Sequence, residues 1–312
     1  MNITLSGIAI ELGEQEHHYQ EADQFEARVE KYRMTNMPDY WGWGYFRSSQ
    51  RTSYQLAQSA IRRSLEQSGL EAERIDLVIY CSAGPREAYQ VVNEKMGSLL
   101  KELSISNAEL FGQCFAGCVS IFSAIKVANV LLRSGQYRNV LIVTTDKIAG
   151  EAVRFREFGI YSDSASCFLL SSEIQEGFDL LSVAVGSDFK LMSGEMEDKD
   201  SHFRHLQKVH QQLFEQQALE ARDFEKIFIT NLYKPLLQIN MVRLGYKQTQ
   251  SYYSNIERYG HCFSSDPLVN LQSYEEQRMQ EELPSYVIGA MATGHAGFCA
   301  LKKREPQGEL IL

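Results

Sequence analysis

Two segments 149 residues apart resemble each other, and their spacing limits the folds open to this chain more than any other feature. LEAERIDLVIY begins at Leu70 and LEARDFEKIFI at Leu219, an offset of 219 − 70 = 149 residues in a chain of 312. They share their first three residues, and each follows an amphipathic helical stretch and runs into an apolar strand. The offset is close to half the length, so the repeat predicts two similar halves, residues 1–175 and 176–312, joined without a Ser/Gly-rich or charged linker. The same offset sets the neighbourhood of Cys114 against that of His261, so that loops from two facing halves meet there.

The local patterns agree. YQLAQSAIRRSLEQSG, residues 54–69, has helical spacing and ends at a glycine, a common helix stop. IDLVIYC, residues 75–81, and VLIVTT, residues 140–145, read as buried strands, with a helical stretch over residues 117–134 between them. Strands alternating with helices predict an α/β protein with parallel pairing.

Composition excludes several classes of function. Lys and Arg total 31 against 40 Asp and Glu, a formal charge of −9, which opposes a sequence-independent grip on nucleic acid. No run approaches the roughly 18 apolar residues of a membrane span, and MNITLSGIAIELGEQEHHYQ lacks the charged lead and apolar run of a secretory signal. The six cysteines are scattered rather than arranged as a disulfide framework, so reduced thiols in a cytoplasmic protein are expected.

The segment richest in chemistry is FGQCFAGCVSIFSAIKVANVLLRSGQYRNVLIVTTDK, residues 111–147. Cys114 sits on a short Gly- and Ala-rich turn before a long apolar helix. Unpaired amides at a helix N-terminus stabilise a thiolate, and small neighbours admit a substrate. A nucleophile fits this pattern; so does a small cysteine filling space before a core helix. Cys118, one helical turn on, reads as packed inside the helix.

Cys114-Phe115-Ala116-Gly117, the helix after it and the VLIVTTDK strand resemble the nucleophile region of the thiolase-fold condensing enzymes, in particular 3-oxoacyl-(acyl-carrier-protein) synthase III and the chalcone synthases. YSDSASCFLL, residues 161–170, resembles the family's FGDGAGA strand entry. RYGHCFSSDPLVNL, residues 258–271, resembles the segment that carries its catalytic asparagine, and ATGHAGFCAL, residues 292–301, its glycine-rich final loop and strand. The resemblance implies a thiolase-like α/β fold, two βαβ-type halves in an α/β/α/β/α stack. It also implies a homodimer, no cofactor, and a substrate carried on coenzyme A or on the phosphopantetheine of an acyl carrier protein.

The chain departs from the family's Cys-His-Asn set. After the strand IFIT, residues 227–230, the family places histidine and this chain has Asn231; where the family has asparagine, this chain has His261. The residue types have exchanged places. An imidazole beside a cysteine still helps ionise the thiol and shuttle a proton, and an amide still donates to a thioester oxygen. The leading expectation is therefore loading of an acyl group on Cys114 and condensation with a malonyl-type thioester, in fatty-acid, polyketide or specialised biosynthesis. Backbone amides near Gly294, with His295 beside it, would help hold the substrate oxyanion. The alternative is transfer of the acyl group to a hydroxyl or amine without decarboxylation, with His261 as base and Asp266 either orienting it or serving as a helix cap. A non-catalytic partner of a condensing enzyme is the third reading, and such subunits usually lose the nucleophile.

Lys234, Arg243 and Lys247 are candidates for docking an acidic carrier protein, against a plain reading as solvated charge. Trp41 and Trp43 fall where the resemblance places an entrance near the pantetheine arm; core packing or a dimer contact suits them equally. His295/Cys299 and His202/His205 have helical ligand spacing, but without a CxxC pair or HExxH motif no metal is expected. The three histidines of SHFRHLQKVH, residues 201–210, read as a solvated helix face, and Cys262 is expected to point away from its neighbour His261.

Overall fold

The computed structural model describes residues 1–84, 87–196, 198–215, 219–279 and 282–305. Its strands are β1 (Thr4–Leu12), β2 (Gln15–His18), β3 (Tyr45–Ser48), β4 (Leu77–Cys81), β5 (Glu109–Gln113), β6 (Asn139–Asp146), β7 (Ser164–Ser171), β8 (Phe178–Ser187), β9 (Lys226–Ile229), β10 (Ser285–Ala292) and β11 (His295–Lys303). Early in the chain lie the helices α1 (Phe25–Lys31), α2 (Pro38–Trp41), α3 (Ser53–Ser68), α4 (Tyr89–Glu102) and α5 (Ser120–Arg133). Later come α6 (Phe189–Met192), α7 (Ser201–Glu215), α8 (Lys234–Arg243), α9 (Ser254–Tyr259) and α10 (Asp266–Glu275).

The predicted elements form for the reasons read in the sequence. Thr52 caps α3 in a box with Gln55, burying Leu56, Ala57, Ala60 and Ile61 on one face, and Gly69 ends the helix in the left-handed region at φ 63°. Every residue of β6 and β7 is buried, as their apolar runs require.

Nine strands form one sheet in the order β5-β4-β6-β7-β1-β8-β11-β10-β9. Read outward from the centre, β1-β7-β6-β4 and β8-β11-β10-β9 follow the same plan, with β5 added at one edge. The repeat lies at equivalent places: the 3-10 turns Ala72–Arg74 and Ala221–Asp223, and the starts of β4 and β9, each stand 149 residues apart (221 − 72 and 226 − 77). The half-sheets join where Thr4 pairs with Asp179 and Leu5 with Phe178.

Parallel pairing holds for β5-β4-β6 and for β9-β10, whereas the other neighbours are antiparallel, so the sheet is mixed. The reason is visible at β10–β11, where the chain returns through Thr293 and Gly294 with no crossover helix. Helix α5 packs on strands of both half-sheets and α10 on β1, β9 and β10, which places these two helices in the middle layer. Helix α3 covers β1, β6 and β7, and α7 covers β8 and β11, completing the five-layer α/β/α/β/α stack. The main core, with Phe122, Ile125, Phe168, Leu268 and Ile288, lies around the middle helices. No helix among the described residues is long and apolar enough to cross a membrane.

Candidate active site

The N-terminal ends of the two middle helices meet, and there the site is built. β5 ends at Gln113; the chain turns through Cys114–Ala116 and passes Gly117 at φ 54°, a left-handed conformation that favours glycine. A 3-10 turn, Gly117–Val119, then leads directly into α5. The left-handed glycine decides which cysteine heads the helix. Cys118 lies within the opening turn, while Cys114 stays behind at the strand end.

Cys118 Sγ lies 3.4 Å from Nε2 of His261. His261 is buried and held by its backbone, whose N–H donates to Ile160 O (2.7 Å) and whose carbonyl accepts from Ser162 N (2.8 Å). The other ring nitrogen, Nδ1, is 2.5 Å from Asp266 Oδ2. The same carboxylate accepts backbone N–H groups from Asn231 (2.7 Å) and Cys262 (2.6 Å), and is fully buried at the start of α10. A carboxylate bonded in this way accepts only, so Nδ1 carries the proton and Nε2 is the nitrogen presented to the sulfur. Burial opposes charge on the ring, yet the Asp266 carboxylate and the Cys118 sulfur outweigh it and raise the imidazolium pKa to about 10. Tyr161 and Phe263 flank the ring at centroid distances of 5.0 and 5.5 Å.

A cavity of about 630 Å³ opens over this pair, with both Cys118 and His261 in its wall. Phe158, Phe203, Leu206, Leu232 and Met291 give it an apolar interior, while Lys199, His202, His205, Arg243 and His295 add polar groups.

The other predicted residues divide. Cys114 is half-buried and does not line the cavity, so the sequence expectation that His261 serves Cys114 gives way: the histidine faces Cys118. Asn231 is buried and also off the cavity wall; its Nδ2 donates to Gly260 O (3.0 Å) and its Oδ1 accepts from Asn270 Nδ2 (2.8 Å). Gly294, at φ 71°, packs on α6, where a Cβ would stand 2.5 Å from Met192 Cγ, while His295 reaches the cavity and pairs with Ser187 Oγ at 2.9 Å. The end of β10 nevertheless adjoins the cysteine turn, since a Cβ on Gly117 would lie 3.3 Å from that of Ala292.

Of the docking candidates, Arg243 lines the cavity, lying 3.6 Å over the Phe203 ring and 3.0 Å from Asp200 Oδ1. Lys234 pairs with Glu257, and Lys247 is exposed away from the cavity wall. Trp43 is buried in an aromatic cluster with Phe25, Phe155 and Tyr233, and Trp41 packs against that cluster, so both tryptophans act in packing. The solvated-face reading of residues 201–210 is corrected for two histidines. His210 is buried against Phe298 and bonds Tyr246 Oη at 2.9 Å, and His205 is half-buried in the cavity wall, because α7 turns its apolar face onto β8 and β11. Cys262 is fully buried, and burial pushes its thiol well up. From sequence Cys118 reads as core because it lies inside an apolar helical run; the left-handed glycine before it is the signal that sets it at the helix start instead.

The fold and site define the class first: this is a thiolase-fold protein. A 3-oxoacyl-[acyl-carrier-protein] synthase III from Aquifex aeolicus VF5 superposes with a TM-score of 0.78 at 16% identity, over 96% of this chain and 99% of that one. The acyltransferase ChlB3 superposes with a TM-score of 0.79 at 16% identity, over 98% and 99%. More particularly, residues 114–189 match the family model for 3-oxoacyl-[acyl-carrier-protein (ACP)] synthase III. The beta-ketoacyl-[acyl-carrier-protein] synthase III of Clostridium perfringens (strain SM101 / Type A) is 30% identical over 140 residues, 43% of this chain and 40% of that protein. The chain thus resembles synthase III in sequence around the cysteine turn, and the match spans less than half the length of this curated relative.

Proposed function

We propose that this protein is an acyltransferase that loads an acyl group from a thioester onto Cys118 and passes it to a hydroxyl or amine, without decarboxylation. The observation that carries this reading is the line Cys118 Sγ–His261–Asp266, closed by distances of 3.4 and 2.5 Å. Decarboxylative condensation is served by two polar side chains on the nascent enolate oxygen. Here one of the two corresponding residues, Asn231, is turned into the scaffold by its bonds to Gly260 and Asn270.

In the first half-reaction the Cys118 proton is already held on His261 Nε2, in keeping with the raised imidazolium pKa, and the thiolate attacks the carbonyl carbon of the donor thioester. The donor carbon–sulfur bond breaks, and the leaving thiolate takes the proton from Nε2. In the second half-reaction the acceptor O–H or N–H gives its proton to Nε2 and attacks the acyl-Cys118 carbonyl. The bond to Cys118 breaks, and the released thiolate is left beside the protonated ring, which restores the starting pair. Asp266 fixes the ring and stabilises its charged form throughout. Helix α5 directs its N-terminus at the developing oxyanion, with the β10–β11 turn beside it. The apolar interior suits an acyl chain, and the donor is a coenzyme A or carrier-protein thioester.

Condensation with a malonyl thioester is the second reading, favoured by the synthase III match over residues 114–189. Intact-protein mass spectrometry with a panel of acyl thioesters tests the first step: the adduct is expected in Cys114→Ala and absent in Cys118→Ala. Carbon dioxide release on adding malonyl thioester to the acylated protein would overturn the non-decarboxylating reading, and acyl transfer to an alcohol or amine without it supports that reading.

A further inference from the structure

We propose that the Asn231 side chain is a positioning residue for His261, setting the distance between imidazole and Cys118 from outside the cavity. This rests on the reading of Cys118, His261 and Asp266 as the acyl-transfer triad.

Asn231 stands just beyond β9, and its amide orientation is fixed by chemistry. Gly260 O only accepts, so Nδ2 must face it at 3.0 Å, which leaves Oδ1 to accept from Asn270 Nδ2 at 2.8 Å. Asn270 Nδ2 also donates to Ile229 O at 3.0 Å, so one α10 side chain is tied to both the strand end and the amide. The anchored carbonyl belongs to the residue immediately before His261. Gly260 adopts φ 60°, ψ −149°, a region essentially restricted to glycine, and the Asn231 amide ties down the carbonyl of this permissive residue. The backbone N–H of Asn231 reaches the same triad from the other side by donating to Asp266 Oδ2.

Asn231 therefore ties the carbonyl preceding the histidine with its side chain and the carboxylate orienting the histidine with its main chain. Asn231→Asp keeps the size of the side chain and removes the donor facing Gly260 O, turning an attraction into a repulsion.

The test is alkylation of the full chain by iodoacetamide across a pH series, with the label at Cys118 and Cys114 read separately by peptide mass mapping. In Asn231→Asp, labelling of Cys118 at pH 7 is expected to slow about tenfold, its pH profile to shift, and labelling of Cys114 to stay unchanged. Acyl transfer in the same variant is expected to lose kcat with KM unchanged. Asn270→Ser leaves the Gly260 bond and removes the donor to Oδ1; it carries the same test with a smaller effect, about threefold, should Asn231→Asp fail to fold. A Cys118 pH profile that superposes on the parent's overturns the proposal: with turnover abolished, Asn231 meets the substrate directly, and with turnover intact it is scaffold alone. Failure of the triad reading shows separately, as a parent protein whose Cys118 is no more reactive than Cys114.

Discussion

His261 Nε2 stands 3.4 Å from the sulfur of Cys118, four residues past the cysteine that the sequence motif singles out. The four-residue difference moves the proposed nucleophile from a strand end to a helix start. It exchanges a thiol off the cavity wall for one on it.

Cys118→Ala is expected to abolish acyl transfer, lowering turnover by at least about a thousandfold, because no other group takes the place of a covalent nucleophile. Cys114→Ala is expected to stay within a few-fold of the parent. Steady-state rates for the two variants check this, and equal losses would mean that the two thiols share the work.

Asp266→Asn is expected to lower kcat by about 10³–10⁴, since an amide lets the imidazole take the wrong tautomer. The carboxylate also accepts two backbone N–H groups, so the variant should lose roughly 1–3 kcal/mol of stability, measurable by urea unfolding. Full activity in Asp266→Asn would reduce the carboxylate to a helix cap.

Two buried histidines predict opposite pH dependences of stability. His261 has its pKa raised to about 10, so its contribution is complete below the unfolded value near 6.5 and declines as pH rises towards 10. Burial lowers the pKa of His210 to about 4, so its effect is the reverse: stability is intact above about 6.5 and is lost as pH falls towards 4. Unfolding free energies from pH 4 to 10 should show His210→Phe flattening the acid limb and His261→Gln the alkaline one. A parent-like acid limb in His210→Phe would assign acid sensitivity elsewhere.

Gly260→Ala is expected to impair both stability and turnover. At φ 60° an added Cβ is strained and would collide with the Ile160 carbonyl, the group that accepts the His261 N–H. A loss of about 1–3 kcal/mol with a fall in kcat is expected from thermal unfolding and rate measurements. Gly69→Ala, at φ 63° with open space around it, should cost about 1 kcal/mol and leave kcat unchanged.

Much of the fold was legible because its signals are local. The helix over residues 54–69, the strands 75–81 and 140–145, and the stop at Gly69 rest on periodicity and on one residue's φ preference, and the structure places them within two residues of the expected ends. The antiparallel returns were not legible, because a strand's apolar run is the same whichever way its neighbour points. The burial of His210 and His205 is not legible because the helical wheel shows which residues share a face but not what covers it.

The sequence by itself determined the duplicated plan, its 149-residue offset and the helix-leading cysteine turn. All of these are properties of residue type, spacing and local backbone preference. The tertiary structure alone decided that Cys118 faces the imidazole, that Asp266 both opens α10 and backs His261, and that Asn231 turns into the scaffold. These depend on where the two middle helices bring their N-terminal ends, and a hydrogen bond between residues 143 positions apart is fixed only once both halves have packed around one core.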